Sequence, residues 1–197
     1  MTAGNDMGDS TAGGNGTAAG NSSAAGNSSA SAASLAVTNV VLAGLGGQGV
    51  IKASDILADA ALRAGLDVKK AEIHGMSQRG GSVTSDVRFG RKVLSPMVPR
   101  GEADYLLVLA PSEVEAARAL LRPGGVLLSP DLVPEDLLPN KRSLNVALLG
   151  ALSQYLDLPA EAFLDAVRAA LPERLHRVNE QAFAVGRKLA AEGGTIR

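Results

Sequence analysis

A glycine-rich hexapeptide is the first segment of this sequence whose residue types and spacing could bind a ligand. Residues 44–49 read GLGGQG and match the pattern GxGxxG, after an apolar run and before a predicted helix. Glycines permit a tight turn and a close backbone approach, and a helix start offers free N–H groups to an anion. The same glycines could equally serve only a strand-to-helix turn, and both interpretations stay open. The candidate ligand residues are Gly44, Gly46, Gly47, Gln48 and Gly49.

A dinucleotide site would need a further acidic residue at the end of the second strand, about 20 residues downstream. Glu72 lies 28 positions after Gly44, whereas Asp67 has the better spacing but precedes the predicted strand. The glycine pattern therefore indicates an anion site without indicating which anion.

A second polar loop spans residues 74–81, which read HGMSQRGG. A guanidinium suits a carboxylate or a phosphate, and paired glycines can offer backbone N–H groups to a ligand. As an alternative, His74 could hydrogen-bond within the loop and Arg79 could pair with a nearby carboxylate. The candidate residues for a ligand site or a partner cleft are His74, Gln78, Arg79, Gly80 and Gly81.

No residue of the sequence is predicted to be catalytic. The chain lacks cysteine, which excludes disulfides, thiolate catalysis and iron–sulfur clusters ligated by its own thiolates. His74 and His176 are far apart, with no close metal-ligand spacing. We therefore predict no metal site, and no nucleophile motif is visible.

Strands and helices alternate in the first part of the chain, which predicts an α/β domain. Residues 38–43 are a buried-strand candidate, a helix is predicted over 48–64, and a second strand over 67–73. Further strands are predicted over 103–110 and 126–129, with a helix from about 111 to 121 between them. We expect one three-layer α/β/α domain with a mixed, largely parallel sheet and a Rossmann-like first βαβ unit.

The mixed character of the sheet is predicted from residues 82–94. Residues 82–89 alternate between apolar and polar types, and Gly90-Arg91 could form a two-residue turn into a strand over 92–94.

The C-terminal part is predicted to be helical. Residues 144–156, LNVALLGALSQYL, are apolar on nearly all sides, so this helix should form a subunit contact or a deeply buried layer. A helix is predicted from Pro159 to about 170, and a last one carries a narrow apolar seam over 175–189.

Composition separates a tail from the folded domain. Residues 1–34 contain no Leu, Ile, Val or aromatic residue and only two charges, so they cannot offset the entropy of their own ordering. We predict a disordered tail over 1–37, a domain over 38–191 and a frayed C-terminus over 192–197.

The overall composition restricts the classes of partner. The net charge is −1 and aromatic residues make up 3% of the chain, so neither nucleic acid nor a membrane surface is expected as a partner. No signal peptide or membrane-spanning run is apparent, which predicts a cytoplasmic protein.

Two long motifs in order resemble a known family. Residues 44–68, GLGGQGVIKASDILADAALRAGLDV, and 72–90, EIHGMSQRGGSVTSDVRFG, resemble the gamma-type domain of 2-oxoacid:ferredoxin oxidoreductases. The run HGMSQRGGSV is most similar to beta subunits of the indolepyruvate branch, whereas the pyruvate and oxoglutarate branches usually share only the RGG. Residues 145–152, NVALLGAL, and 179–186, NEQAFAVG, resemble the family's C-terminal helices. The resemblance covers about 40–189.

The resemblance implies a small subunit of a larger enzyme. In that family a large alpha subunit carries thiamine diphosphate and the iron–sulfur clusters, and the complex decarboxylates an aryl pyruvate oxidatively. The products would be an aryl-acetyl-CoA and electrons for ferredoxin, with coenzyme A as a further cofactor of the complex. This chain alone would bind no cofactor and would be inactive.

Three other functions stay open at this stage. The chain could be the gamma-type subunit of a pyruvate, oxoglutarate or branched-chain 2-oxoacid oxidoreductase, a free-standing dinucleotide-binding protein, or a scaffold without enzymatic function.

The two loops are expected to converge. Each follows a predicted strand, and both strands flank the same helix, so their carboxyl ends should share one edge of the sheet. We expect Arg79 and the helix N-terminus to form one positive, concave spot in the partner's active-site cleft. That spot could hold a coenzyme A phosphate or the substrate carboxylate.

Overall fold

Five strands form one mixed sheet in the order β2-β3-β1-β4-β5. The computed structural model describes Met1 and residues 37–74 and 80–193, without the side chain of His74. The strands are β1 (Thr38–Leu45), β2 (Asp67–His74), β3 (Ser82–Gly90), β4 (Ala103–Val108) and β5 (Leu121–Leu128).

Five α-helices and several 3-10 turns connect and follow the strands. The helices are α1 (Val50–Arg63), α2 (Val114–Arg118), α3 (Leu144–Leu152), α4 (Ala160–Ala170) and α5 (His176–Ala191). The element order confirms the predicted α/β class with a helical C-terminal part. None of the helices among the described residues is long and apolar enough to cross a membrane.

Strand β3 is what makes the sheet mixed. It runs antiparallel to both β1 and β2, whereas β1, β4 and β5 are parallel neighbours, so four of the five strands point the same way. The largely parallel sheet is therefore confirmed. The first unit, β1–α1–β2, has the order of a Rossmann βαβ unit, but β3 lies between its two strands.

The predicted hairpin from β3 into residues 92–94 is wrong. Residues 91–100, named the strap from here on, form no strand, and β3 pairs with β2 and β1 instead. Side chains of the sheet take the place of a strand partner, because they bind backbone groups of the strap. These bonds join Val93 N to Asp67 Oδ2 (2.8 Å), Arg88 Nη1 to Ser95 O (3.0 Å) and Met97 O (3.1 Å), and Val98 N to Asp86 Oδ2 (2.9 Å).

Two carboxylates under the strap have altered pKa values. The hydrogen bond from Val93 N, followed by the ammonium of Lys69, lowers the pKa of Asp67. Burial raises the pKa of Asp86, although the N–H of Val98 and the charge of Arg88 oppose that shift. Burial of the Asp86 carboxylate therefore costs free energy, and the hydrogen bond from Val98 N of the strap offsets part of that cost.

Successive residues of the central strands point into two separate cores. Val40 and Leu42 of β1 pack with α1, α3, α4 and α5, whereas Val41 and Ala43 pack with α2 on the other face. The three predicted layers are present, but they are unequal, because a single five-residue helix covers the second face.

Helix α3 is the centre of the larger core. All of its residues after Leu144 are buried, in agreement with the predicted deeply buried layer. It is shorter than expected and ends at Leu152 rather than at residue 156. Gly150 of α3 and Gly186 of α5 lie where the two helices touch, and a Cβ at Gly186 would lie 1.7 Å from Ala147 O.

The segment before β5 also differs from expectation. Helix α2 ends at Arg118 rather than near residue 121, and β5 begins at Leu121 rather than at residue 126. Pro123 is tolerated in β5 because this strand lies at the edge of the described sheet, beside β4. The first element of the chain, β1, begins at Thr38, and the last helix ends at Ala191. The segments predicted to be a tail and a frayed C-terminus lie almost entirely in residues 2–36 and 194–197, outside the described residues.

Candidate functional site

The glycine-rich turn joins β1 to α1 and is closed by its own glutamine. Leu45 N donates to Gln48 Oε1 at 2.8 Å, and Gln48 N donates to Leu45 O at 3.1 Å. The carboxamide of Gln48 is thus used to shape the turn. The turn backbone, rather than this side chain, is what remains for a ligand.

Three glycines of the turn are needed there, for different structural reasons. Gly47 and Gly49 have φ of 91° and 85°, in the left-handed region that favours glycine. A Cβ at Gly49 would lie 2.5 Å from Asn145 Nδ2, and one at Gly44 would lie 2.9 Å from Val50 Cγ2. Gly44 and Gly49 therefore allow close packing, while no atom of the described residues lies within 4 Å of a Cβ at Gly47.

The start of α1 is uncapped. Gly49 is the N-cap residue and has no side chain that could cap the helix, and no acidic residue lies in the first turn. Asn145 Nδ2 donates to Gly49 O at 3.3 Å, so it fixes the turn without capping the helix. The positive end of the helix dipole carries no acidic residue in its own first turn, and such a helix end suits an anion.

The two predicted loops meet at this end of the sheet. Gly46 N donates to Gly81 O at 2.9 Å, and Leu45 of β1 faces Ser82 of β3 in the antiparallel register. A Cβ at Gly46 would lie 3.4 Å from Gly80 N. The expected convergence is confirmed for the Gly80-Gly81 end of the second loop. It comes about through β3, which returns beside β1, and not through pairing of β2 with β1.

The remainder of the second loop lies outside the described residues. This concerns Gly75, Met76, Ser77, Gln78 and Arg79, together with the side chain of His74. The roles expected of His74, Gln78 and Arg79 stay predictions.

A basic cleft opens beside the glycine turn. It has a volume of about 440 Å³, and its walls include Gly47, Gly49, Lys52, Lys141 and Arg142. Lys141 forms an ion pair with Glu135. In the part of the chain that the structure describes, Lys52 and Arg142 form no ion pair and no side-chain hydrogen bond. Two uncompensated cations and a helix N-terminus therefore line the same opening.

A second, narrower lobe continues from the cleft between α3 and α5. It has a volume of about 200 Å³ and shares Lys52, Arg142 and Asn145 with the first lobe. Leu171, Leu175 and Val178 give this lobe an apolar lining that the first lobe does not share. Asn179 adds a polar side chain to the same lining. The arrangement suits an elongated ligand that is anionic near the glycine turn and less polar at one end.

Sequence reasoning missed the cations of this cleft. Neither Lys52, in the helix predicted after the glycine turn, nor Arg142 belongs to either of the two candidate loops. Asn145 opens the NVALLGAL run, where one amide among apolar residues was the available signal. The fold brings Arg142 and Asn145 to a turn about 95 positions earlier, which no local pattern indicates. No cluster of three or more potential metal ligands occurs within residues 37–74 and 80–193.

A protein-family model matches the chain over residues 39–139. Its description is "Pyruvate ferredoxin/flavodoxin oxidoreductase". The matched segment includes the glycine turn, the whole second loop and strands β1 to β5.

Curated relatives match over most of the folded chain. Indolepyruvate oxidoreductase subunit IorB of Thermococcus kodakarensis is 36% identical, with 78% of this chain and 96% of the relative covered. The pyruvate/ketoisovalerate oxidoreductases common subunit gamma of the same organism is 29% identical over 71% of this chain and 92% of its own length.

A solved structure has the same fold and supports the same assignment. The gamma subunit of a keto/oxoacid ferredoxin oxidoreductase from Geobacter sulfurreducens superposes with a TM-score of 0.67 at 28% identity. The superposition covers 79% of this chain and 99% of that subunit. The chain therefore belongs to the pyruvate ferredoxin/flavodoxin oxidoreductase family, in the branch of the indolepyruvate oxidoreductase subunit IorB.

Proposed function

We propose that this chain is the small subunit of a 2-oxoacid:ferredoxin oxidoreductase that acts on indolepyruvate and other aryl pyruvates. The complex would depend on thiamine diphosphate and iron–sulfur clusters, form an aryl-acetyl-CoA and reduce ferredoxin in the cytoplasm. The observation that carries the proposal is the match at 36% identity to an indolepyruvate oxidoreductase subunit across 96% of that subunit's length.

The proposal assigns the cluster and thiamine chemistry to a large partner subunit. This chain has no cysteine, so it does not suit clusters held by thiolates. In such a complex the thiamine cofactor supplies the cleavage of the carbon–carbon bond, and the clusters carry the electrons. The remaining task of the small subunit is to bind and position a substrate of the complex.

The basic cleft is the part of this chain best suited to that task. Lys52 and Arg142 form no ion pair with any residue that the structure describes, and the N-terminus of α1 adds backbone N–H groups. Charge-assisted hydrogen bonds of this kind suit phosphate oxygens. We therefore propose that the cleft holds a phosphate group of coenzyme A, and that its apolar lobe receives a less polar part of the same molecule.

The dinucleotide alternative has little support from the topology. In a Rossmann site the acidic residue that binds the ribose ends the strand beside β1. Here β3 occupies that place, so Glu72 on β2 lies one strand further away, and its carboxylate contacts Lys70 Nζ at 2.7 Å. Adjacent strands are about 4.8 Å apart, so Glu72 is displaced from the ribose position by that additional spacing.

The alternative 2-oxoacid substrates rest on a more distant curated relative than the indolepyruvate subunit. The gamma subunit shared by pyruvate and ketoisovalerate oxidoreductases is 29% identical, compared with 36% for the indolepyruvate subunit. A comparison of indolepyruvate, pyruvate and ketoisovalerate as substrates of the assembled complex would decide between these alternatives.

The isolated chain is expected to be colourless and inactive. The chain has no cysteine for a cluster, and no nucleophile motif is present. The purified subunit should therefore show no visible absorption band and no turnover of indolepyruvate with coenzyme A. A flavin or cluster spectrum, or turnover by the subunit alone, would contradict the proposed division of labour.

A further inference from the structure

The strap, residues 91–100, is fixed on the second face of the sheet. Four of its backbone groups are bound by side chains of β2 and β3, and two of its valines point inward. Val93 is 3% exposed, and Val98 packs against the smaller core. Two prolines, Pro96 and Pro99, restrict the backbone further. An irregular segment held in this way loses little conformational entropy when a partner binds it.

Two large apolar side chains of the strap point away from the core. Leu94 is 86% exposed and Met97 is 54% exposed. Ile73 of the edge strand β2 is 47% exposed, and it lies on the same face of β2 as Asp67, which holds the strap. Three of the six large exposed hydrophobic residues described in this chain thus lie on the face of the sheet that carries the strap and the short helix α2.

The charges of the strap are of one sign. Arg91, Lys92 and Arg100 are exposed and form no ion pair with any residue that the structure describes, and the strap contains no acidic residue. Asp67 and Asp86, the acids beneath the strap, are already used by Val93 N and Val98 N. The strap therefore presents a central apolar pair with cations at both ends.

We infer that the strap docks the large subunit of the complex, through a segment of that subunit in which acidic residues flank apolar ones. The inference rests on the proposed function, because that function provides the large subunit. Charge complementarity selects the occupant: the exposed cations favour an acidic partner and disfavour a second copy of this chain, whose strap carries the same charges. The apolar pair would supply most of the binding energy, while the cations set the rate and the orientation of association.

Binding of the purified full-length chain to the purified large subunit tests the inference. Leu94→Asp should weaken the affinity about tenfold or more, because it places an unpaired charge at the centre of the contact. Lys92→Glu should weaken binding at low salt and reduce its salt dependence. Leu62→Asp is the matched control, since Leu62 is 56% exposed on α1, on the opposite face of the sheet, and it should bind like the wild type.

Each outcome of the titration bears on a different claim. Wild-type affinity for both Leu94→Asp and Lys92→Glu would overturn the docking role of the strap and leave the proposed function intact. Failure of the wild-type chain to bind the large subunit would overturn the proposed function and the docking role together. A wild-type dimer that Leu94→Asp converts to a monomer in the absence of the large subunit would show that the strap pairs two copies, and it would also overturn the inference. Because Leu94 is largely exposed, the variant should retain the wild-type melting temperature.

Discussion

Gly186→Ala is expected to destabilise the chain by about 2 kcal/mol or more, although alanine is the better helix former. A Cβ at this position would lie 1.7 Å from Ala147 O of α3, and a Cβ at Gly150 would lie 2.1 Å from Phe183 O of α5. Both obstacles are backbone atoms, so the helices would have to move apart, and overpacking of this kind costs about 1–3 kcal/mol. The melting temperature should fall by roughly 4–8 °C.

The sign of this effect distinguishes helix contact from helix propensity. Propensity alone predicts that replacing a glycine by alanine inside a helix stabilises it by about 1 kcal/mol. Ala184→Gly, at an exposed position of the same helix, is the control and should cost about that amount. A rise in melting temperature for Gly186→Ala would show that α3 and α5 do not pack as described.

Reversing the charges of Lys52 and Arg142 in the cleft should have the largest effect on catalysis. In the assembled complex, Lys52→Glu combined with Arg142→Glu is expected to raise the KM for coenzyme A roughly a hundredfold, with little change in kcat. Each charge-assisted hydrogen bond is worth about 1.5–3 kcal/mol, and a tenfold change corresponds to about 1.4 kcal/mol. The KM for indolepyruvate should change much less, because the cleft is proposed to bind coenzyme A.

The control for this double variant keeps the change in net charge but moves it elsewhere. Arg118 lies on α2, on the opposite face of the sheet, and Lys188 is 77% exposed near the end of α5. Arg118→Glu combined with Lys188→Glu should leave the KM for coenzyme A unchanged. If the Lys52 and Arg142 double variant assembles normally by gel filtration and its KM for coenzyme A is unchanged, the cleft does not bind coenzyme A.

Local patterns predicted the elements of this fold better than their arrangement. The apolar run before the glycine turn and the buried character of α3 follow directly from residue type and periodicity. The place of β3 between β1 and β2 does not, because alternation within residues 82–89 indicates a strand without indicating its neighbours. For the same reason the sequence could not distinguish a hairpin into residues 92–94 from a strap bound by Asp67, Asp86 and Arg88.

Only part of the candidate site could be predicted from the sequence. The glycine turn and the Gly80-Gly81 pair were found by their motifs, and the structure places them together. Lys52 and Arg142 became candidates only through the fold, since exposed cations occur throughout the chain and nothing local separates these two from the others. Gly150 and Gly186 carried a usable signal, because an isolated glycine inside a helical pattern often marks a close contact.

The most direct test of the proposed function is reconstitution of the complex from its two subunits. The rate of ferredoxin reduction would be measured with indolepyruvate and coenzyme A, using the purified large subunit with increasing amounts of this chain. We expect no sustained turnover from either subunit alone, and a rate that rises until the chain is equimolar with the large subunit. A large subunit that reaches the full rate without this chain, or a mixture that remains inactive although the subunits bind, would contradict the proposed role.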